Sequence, residues 1–573
     1  MSQGRGSDGG SSAGGNSGGR GPGGGFSGGR GSGGRGAGGG RGSGGQGSGR
    51  SDRDRRQGGR GGAGKGGAPR GDRRDASGRQ RHRSDGPRQY GSLSPAERSR
   101  RADPARATAF EVLSAVAQDD AYANLALPAA IRRHHLDQRD AGLATELTYG
   151  SLRDQGRLDA VLSRCIDRPL KQVDGPVLTA LRLGAHQLLN LRIPAHAALD
   201  ATVALTRDLV GAGPSGFVNA VLRRVSERTP AEWDAELTAG AKDETEELAL
   251  REAHPGWIVR AMRQALVVHG RDAAELEALL AADNVAPAVN LVQLPLGPDA
   301  DEARLQEDLI AAGAQPSELL AGAYTIASGG DPARLPGVQD GSVRVQDAGS
   351  QLVAAALASA PLSGSDENWL DLCAGPGGKA ALLAALAEQR GAHLTANEVA
   401  EHRARLVRDG LRAVPSVAWD VVVGDGRRYG SAEPGRYDRI MVDAPCSGLG
   451  ALRRRPEARW RKQPGDVPEL SRLQGELLRS ALDALRPGGV LAYVTCSPHA
   501  AETVAVIEDV LHQRPDVRLL DTGAVVDSVS VRGDVGATRA ADALIGRSEG
   551  STVQLFPHVQ DTDAMFLALL TRD

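Results

Sequence analysis

Cysteine is scarce: Cys165, Cys373, Cys446 and Cys496 are the four in 573 residues. So few thiols exclude a disulfide scaffold, and they are expected to stay reduced and available for chemistry. No run of about 18 apolar residues occurs, which excludes a membrane-spanning helix, and the N-terminal stretch has no short apolar core of the kind a secretory signal carries. A cytoplasmic location is expected. Residues 1 to 100 lack almost all aliphatic side chains and hold 37 of the 77 glycines, in repeated Gly-Gly-Arg and Arg-Gly units. With no apolar surface to bury, residues 1–102 are expected to be a disordered tail.

The same hundred residues carry 20 lysines and arginines against 7 acids, although the whole chain has a formal net charge of -2. A basic tail is therefore joined to an acidic body. A flexible cationic segment attracts polyanions through counterion release, and Arg-Gly tracts suit single-stranded RNA; a solubilising segment without a partner is the alternative.

The rest of the chain reads as several domains. From Asp103 to Arg224 apolar residues recur at helical spacing, as at Val177, Leu181, Ala185 and Leu188, which predicts an all-α bundle over 103–230. Residues 231–254 are acidic and rich in Glu and Ala, the composition of a helical linker. Over 255–344, helix-like stretches (Val259 to Leu280, Ala303 to Ala312) mix with short apolar segments such as "AVNLVQL", predicting an α+β accessory module. From 345 to 573 buried strands ("NWLDLCA", "HLTANE", "DVVVGD", "YDRIMVDAP", "GGVLAYVTCS", "MFLALL") alternate with helices such as Lys379 to Gln389 and Leu473 to Leu485. That alternation predicts a Rossmann-like α/β domain with a parallel, doubly wound sheet, whose ligands bind at the carboxyl ends of the strands.

The first strand of that domain runs into the loop Cys373, Ala374, Gly375, Pro376, Gly377, Gly378, Lys379 and then a helix. Glycines there let backbone approach a ligand, and the helix N-terminus favours an anionic group. The loop has neither Walker A nor Gly-x-Gly-x-x-Gly spacing. Glu398 ends the next strand, placed to accept from both hydroxyls of a ribose, and Asp425 ends the third, where an adenine ring would lie. Acids at successive strand ends fit an adenosyl ligand without a pyrophosphate, with S-adenosylmethionine as the leading candidate. Lys379 reads equally as a loop-to-sheet tie and as a ligand contact.

Two further strands end in polar residues: Asp443, Pro445 and Cys446 on one, Thr495 and Cys496 on the other. If the strands are neighbours, both thiols open onto one cleft. Asp-Ala-Pro-Cys together with Thr-Cys-Ser resembles the signature of the RNA 5-methylcytosine methyltransferases, the Nol1/Nop2/Sun family. "VQDAGSQLV", "DLCAGPGGKA" and "DTDAMFLALL" support the likeness over residues 255–573. Segments such as "LRLGAHQLLNLRIPAHAALDATVAL" and "GFVNAVLRRV" resemble the NusB-like helical domain, a fold associated with RNA binding. Ala380 stands where the family usually has Thr, Ala564 where it usually has Gly, and the Arg/Gly tail is extra.

The resemblance implies a class I methyltransferase domain that methylates C5 of cytosine in RNA, with small-subunit ribosomal RNA as the implied substrate. Cys496 matches the attacking cysteine, Cys446 the one that assists release, and Asp443 the residue that reads the cytosine edge as well as bordering the cofactor. A thiol of ordinary pKa near ~8.5 needs a positive or dipolar setting to attack. The run "LRRRPEARWRK" after Cys446 places Arg453, Arg454, Arg455, Arg459 and Trp460 where they could hold phosphates and stack a base, a solvated charge run being the alternative. No metal is expected, and a monomer is. A catalytically inactive RNA-binding or antitermination factor and a cytosine-5 methyltransferase of transfer RNA or another RNA remain the competing readings.

Overall fold

The structure, a computed structural model, describes residues 102–297, 301–326, 331–537 and 550–573. The tail expected over 1–102 lies outside them except for Ala102.

Helices from Pro104–Gln118 to Ala212–Val225 form the first region. Their starts follow from side chains that accept from otherwise unpaired backbone N–H groups: Asp103 from Arg106 at 3.0 Å and Asp137 from Asp140 at 2.8 Å. The helix Gly175–Asn190 is central because it is apolar on two faces. Leu181 and Ala185 pack with Leu158, Val218 and Leu222, while Ala180 and Leu183 pack with Ala109 and Leu147.

Residues 231–254 are helical, as Pro230–Thr238 and Glu244–Arg251, yet they are not a free spacer. A capping box between Thr229 and Glu232 starts the first helix. Its Trp233 and Leu237 are buried in the bundle core, and the Trp233 indole donates to the Val225 carbonyl at 3.0 Å. Leu248 of the second packs with Ile258, Met262 and Leu279. Composition registers the exposed Glu/Ala faces; the two or three large apolar side chains that dock these helices are too few to change it.

The helix expected over Val259 to Leu280 is two, Gly256–Val268 and Leu276–Asn284. Gly270 turns the chain between them with φ of 73°, a conformation glycine adopts without a Cβ clash. A small antiparallel sheet follows, with β1 (Val289–Gln293), β2 (Gln315–Pro316), β3 (Ala323–Ile326) and β4 (Val343–Val345) in the order β2-β3-β1-β4.

The C-terminal sheet holds β5 (Asn368–Asp371), β6 (His393–Glu398), β7 (Trp419–Val423), β8 (Tyr437–Asp443), β9 (Leu485–Thr495), β10 (Val517–Leu519), β11 (Val553–Gln554) and β12 (Phe566–Arg572). The order is β10-β12-β9-β8-β5-β6-β7, with β11 beside β12. Strands β5 to β9 pair in parallel as expected, but β12 runs antiparallel to β9, so the sheet is mixed. A strand buried on both faces is a continuous apolar run, and such a run carries no direction.

Neighbouring residues in these strands serve opposite cores. Trp369, Met441, Ala492 and Leu567 face the layer containing Leu357 and Leu383, whereas Leu370, Ile440, Leu491 and Phe566 face Leu478 and Ile507. Chain order reverses on the two sides of β5, so the crevice between β5 and β8 is the switch point where ligands enter such sheets. Among the described residues no helix is long and apolar enough to cross a membrane.

Candidate active site

The loop after β5 is folded onto the end of β6. Ala374 N donates to Asn397 O at 2.8 Å. Gly375 N donates to the Glu398 carboxylate at 3.1 Å, and the Gly375 carbonyl accepts from Arg403 at 2.6 Å. Glu398 is 2% exposed, and Arg403 also approaches its carboxylate at 3.4 Å. A Cβ on Gly375 would lie 2.2 Å from Glu398 Oε2, and one on Gly377, whose φ is 107°, would lie 2.9 Å from Val407 Cα. Both glycines are therefore demanded by close approach. Pro376 is exposed, and Gly378 and Lys379 begin the helix Gly378–Glu388.

Beneath this loop the sequence reading missed Asp371, the last residue of β5. It is fully buried, neither carboxylate oxygen has a side-chain partner, and burial together with nearby Asp443 pushes its pKa up to about 7. The acid inside "NWLDLCA" was the available signal, because a charge at the end of an apolar strand costs free energy unless a partner arrives. A buried carboxylate without a side-chain partner at Asp371, a buried acid at the end of β6 bonded to the loop backbone at Glu398, and a backbone cradle with no Cβ together fit an adenosyl amino acid. Asp425 stands at the end of β7 as expected; it caps the following turn and pairs with Arg427 at 2.7 Å, which holds its pKa below the usual carboxylate range. Burial raises the pKa of Cys373, an inert thiol in the loop.

We expect Gly375→Ala to leave the fold intact and to weaken S-adenosylmethionine binding by roughly tenfold or more, about 1.4 kcal/mol, because the methyl group displaces Glu398. Isothermal calorimetry checks this; wild-type affinity would mean that Glu398 takes no part in cofactor binding.

Strands β8 and β9 are adjacent, so Cys446 and Cys496 meet with Sγ atoms 3.4 Å apart. They are free thiols at one cleft. The hydrogen bond from Cys446 lowers the pKa of Cys496; burial opposes this and Lys379 and Arg455 assist it. Cys446 moves the other way, its pKa held high by that bond, by burial and by the negative charge of Cys496. The arrangement thus favours a thiolate at Cys496 with Cys446 as its donor. Lys379 donates to Asp443 at 2.9 Å; burial opposes its charge, but Asp443, Cys496 and Asp371 together outweigh burial and raise its pKa. Lys379 is a tie between loop and sheet, and it also places a cation beside Cys496.

Gly450, which the sequence reading also passed over, joins the loop after Cys446 to the Cys496 and Ala564 segments. Its N–H donates to Cys496 O at 2.9 Å and its carbonyl accepts from Ala564 N at 2.8 Å. A Cβ there would lie 2.1 Å from the Ala564 carbonyl, so only glycine fits.

The basic run after Cys446 does not form the expected phosphate-holding face. Arg453 is 2% exposed and bonds Asp561 at 2.6 Å and Asp563 at 3.3 Å, and Arg454 bonds Asp347 at 2.5 Å and Asp563 at 2.9 Å. Arg459 is 0% exposed and reaches Arg153 O at 3.0 Å, Asn284 Oδ1 at 2.7 Å and Asp283 O at 2.8 Å. The Trp460 ring lies where a Cβ on Gly156 would be, 2.3 Å away, so it packs on the helical bundle. A charge run read alone cannot reveal acids and carbonyls a hundred or more residues away. Arg455 alone of the five named residues is exposed, its guanidinium 5.7 Å from the Tyr122 ring centre.

Arg459 ties the bundle, the accessory module and the catalytic domain at one point. Replacing it with Ala strands buried carbonyls and should cost about 3 kcal/mol. Urea unfolding should show this, and a loss under about 0.5 kcal/mol would mean that water replaces the guanidinium.

A family model described as 16S rRNA methyltransferase RsmB/F matches residues 359–571, and the NusB family matches residues 103–227. Rv1407 of Mycobacterium tuberculosis is 46% identical over 481 residues, covering 83% of this chain and 98% of that protein. Ribosomal RNA small subunit methyltransferase B of Pseudomonas putida is 35% identical over 419 residues, covering 73% and 91%. The chain belongs to the 16S rRNA methyltransferase RsmB/F family. The crystal structure of PH0851 shares the fold, with a TM-score of 0.66 at 21% identity, over 82% of this chain and 99% of that one. Family membership makes S-adenosylmethionine the cofactor and the C-terminal sheet a methyltransferase domain, preceded by a NusB-like bundle. The site's residues agree: Glu398, Asp371 and the glycine loop sit at the carboxyl ends of β5 and β6, one strand away from the paired thiols.

Proposed function

We propose that this chain methylates C5 of a cytosine in 16S ribosomal RNA through a covalent bond between Cys496 and C6 of the base. The observation that carries the reading is the 3.4 Å approach of Cys446 and Cys496 at the ends of adjacent parallel strands, beside the cofactor loop. One thiol alone could be packing; a thiolate-favouring cysteine with a protonated partner is a nucleophile with an assistant.

Gly375, Glu398 and Asp371 would hold S-adenosylmethionine, which supplies an electrophilic methyl group when bound. Cys496 attacks C6 as the thiolate, and the electron pair of the C5–C6 double bond moves toward N3, making C5 nucleophilic. Asp443, held by Lys379, faces the Watson–Crick edge, accepting from the N4 amine; uracil offers an oxygen there and is rejected. After C5 is methylated, a water molecule takes its proton, the electron pair of the C5–H bond re-forms the C5–C6 double bond, and the C6–sulfur bond breaks with its pair leaving on sulfur as the Cys496 thiolate. Cys446, beside that sulfur, assists this departure. The target base must leave its stack to reach the cleft, which favours an unpaired cytosine. Exposed Arg455, whose charge reaches Cys496, would contact a phosphate of the RNA.

The relatives named ribosomal RNA small subunit methyltransferase B and the NusB-like bundle support RNA as the substrate. Incubating the protein with unmodified small-subunit RNA and S-adenosylmethionine, followed by nucleoside mass spectrometry and bisulfite mapping, should give 5-methylcytidine at a single position. Methyl transfer to another base or atom would overturn the reading.

A further inference from the structure

Behind the two thiols lies a group that the mechanism above does not use. Glu502 is fully buried in the turn Ala500–Glu502 after β9. One carboxylate oxygen accepts from Ser447 N at 2.7 Å and from the Gln474 amide at 3.2 Å. The other accepts from the Ser447 and Ser497 hydroxyls, the latter at 2.7 Å, and those hydroxyls lie 3.1 Å apart. Ser447 follows Cys446 and Ser497 follows Cys496. A single carboxylate therefore grips the residue after each cysteine. Gln474 closes the clamp by also donating to the Pro445 carbonyl at 2.9 Å, and Tyr493 donates to the Glu502 carbonyl at 2.8 Å.

A buried carboxylate is costly unless several donors converge on it, and here four do. Strand pairing fixes β8 against β9 as far as Asp443 and Val494, and Ala444 N and Gly450 N add backbone bonds to Val494 O and Cys496 O; the Cys446 side chain lies in the loop between those two ties. We propose that Glu502 is the positioning residue of this active site, clamping the two cysteine loops so that Cys446 stays in hydrogen-bond contact with Cys496. The inference rests on the two-thiol reading. The Glu502 charge also opposes ionisation of Cys446, so the clamp helps to keep the two thiols unlike.

The test reads the thiols without RNA. Folded wild-type protein is treated with iodoacetamide from pH 5 to 10, digested, and the alkylation of Cys446 and Cys496 counted by peptide mass spectrometry. Cys496 should react at least tenfold faster than Cys446 at neutral pH. In Glu502→Gln that ratio should fall about tenfold, with the Cys446 profile moved to lower pH. kcat should fall while the calorimetric affinity for S-adenosylmethionine stays as in wild type. Because Glu502→Gln could unfold, Ser497→Ala is run beside it; it removes one arm of the clamp and should shift the ratio in the same direction by less. Wild-type ratio and pH profiles in a folded variant, with at most a lower Tm, overturn the proposal. If wild type shows unequal thiols that Glu502→Gln equalises, yet transfers no methyl group to cytosine, the clamp stands and the substrate reading fails.

Discussion

The Cys446→Ala protein should accumulate as a covalent complex with RNA. Attack and methylation need Cys496 and the cofactor residues, all of which remain; only the assistant to thioether departure is gone. The geometry adds a second expectation. Cys446 is the donor that contributes most to lowering the pKa of Cys496, so its removal should raise that pKa, leaving Lys379 and Arg455 as the remaining stabilisers of the thiolate. Trapping should therefore be slower at neutral pH than the wild-type first turnover and should speed up as pH rises through the new Cys496 pKa. A shifted band on denaturing gels, dependent on S-adenosylmethionine and stronger at pH 9 than at pH 7, is the expected result. No adduct with an RNA that the wild type methylates would exchange or dissolve the roles assigned to the two cysteines.

What could be read from the chain before folding, and what could not, follows from the range of the interactions concerned. The cofactor loop and both cysteine motifs were legible because each is one strand and the few residues after it, so local pattern carries both structure and chemistry. Asp371 was passed over although it lies in the same segment, since its meaning depends on Asp443 and Lys379 standing across β8 and on the helix Gly378–Glu388. The arginines were misread for the same reason. Arg453 and Arg454 find Asp561, Asp563 and Asp347 about a hundred residues away, and this network joins the "VQDAGS" and "DTDAMF" segments to the loop after Cys446. Their likeness to a family was visible in sequence, but the buried charge network that joins them to the loop after Cys446 was not. The direction of β12 was equally hidden, because an apolar strand buried on both faces reads the same in either sense.

The Cys496→Ser protein carries the most weight. If Cys496 were a small packing residue, serine would cost about 1 kcal/mol and methylation would survive. As the nucleophile it cannot be replaced, since the hydroxyl ionises far above neutral pH and needs a base beside it. The neighbours of that position are known: the Cys446 thiol at 3.4 Å, and Lys379, already bound to Asp443. Neither can take a proton from a serine. Lys379 is cationic, and Cys446 is a donor whose own pKa is raised. Methyl transfer should fall by about four orders of magnitude or more, the scale on which losing a nucleophile is felt, while the affinity for S-adenosylmethionine is unchanged because Glu398, Asp371 and the glycine loop are untouched. Combined with Cys446→Ala, the change should also abolish the trapped complex, as no sulfur remains to bond C6. Folded Cys496→Ser protein that still forms 5-methylcytidine would overturn the covalent mechanism and leave the paired thiols without a catalytic role.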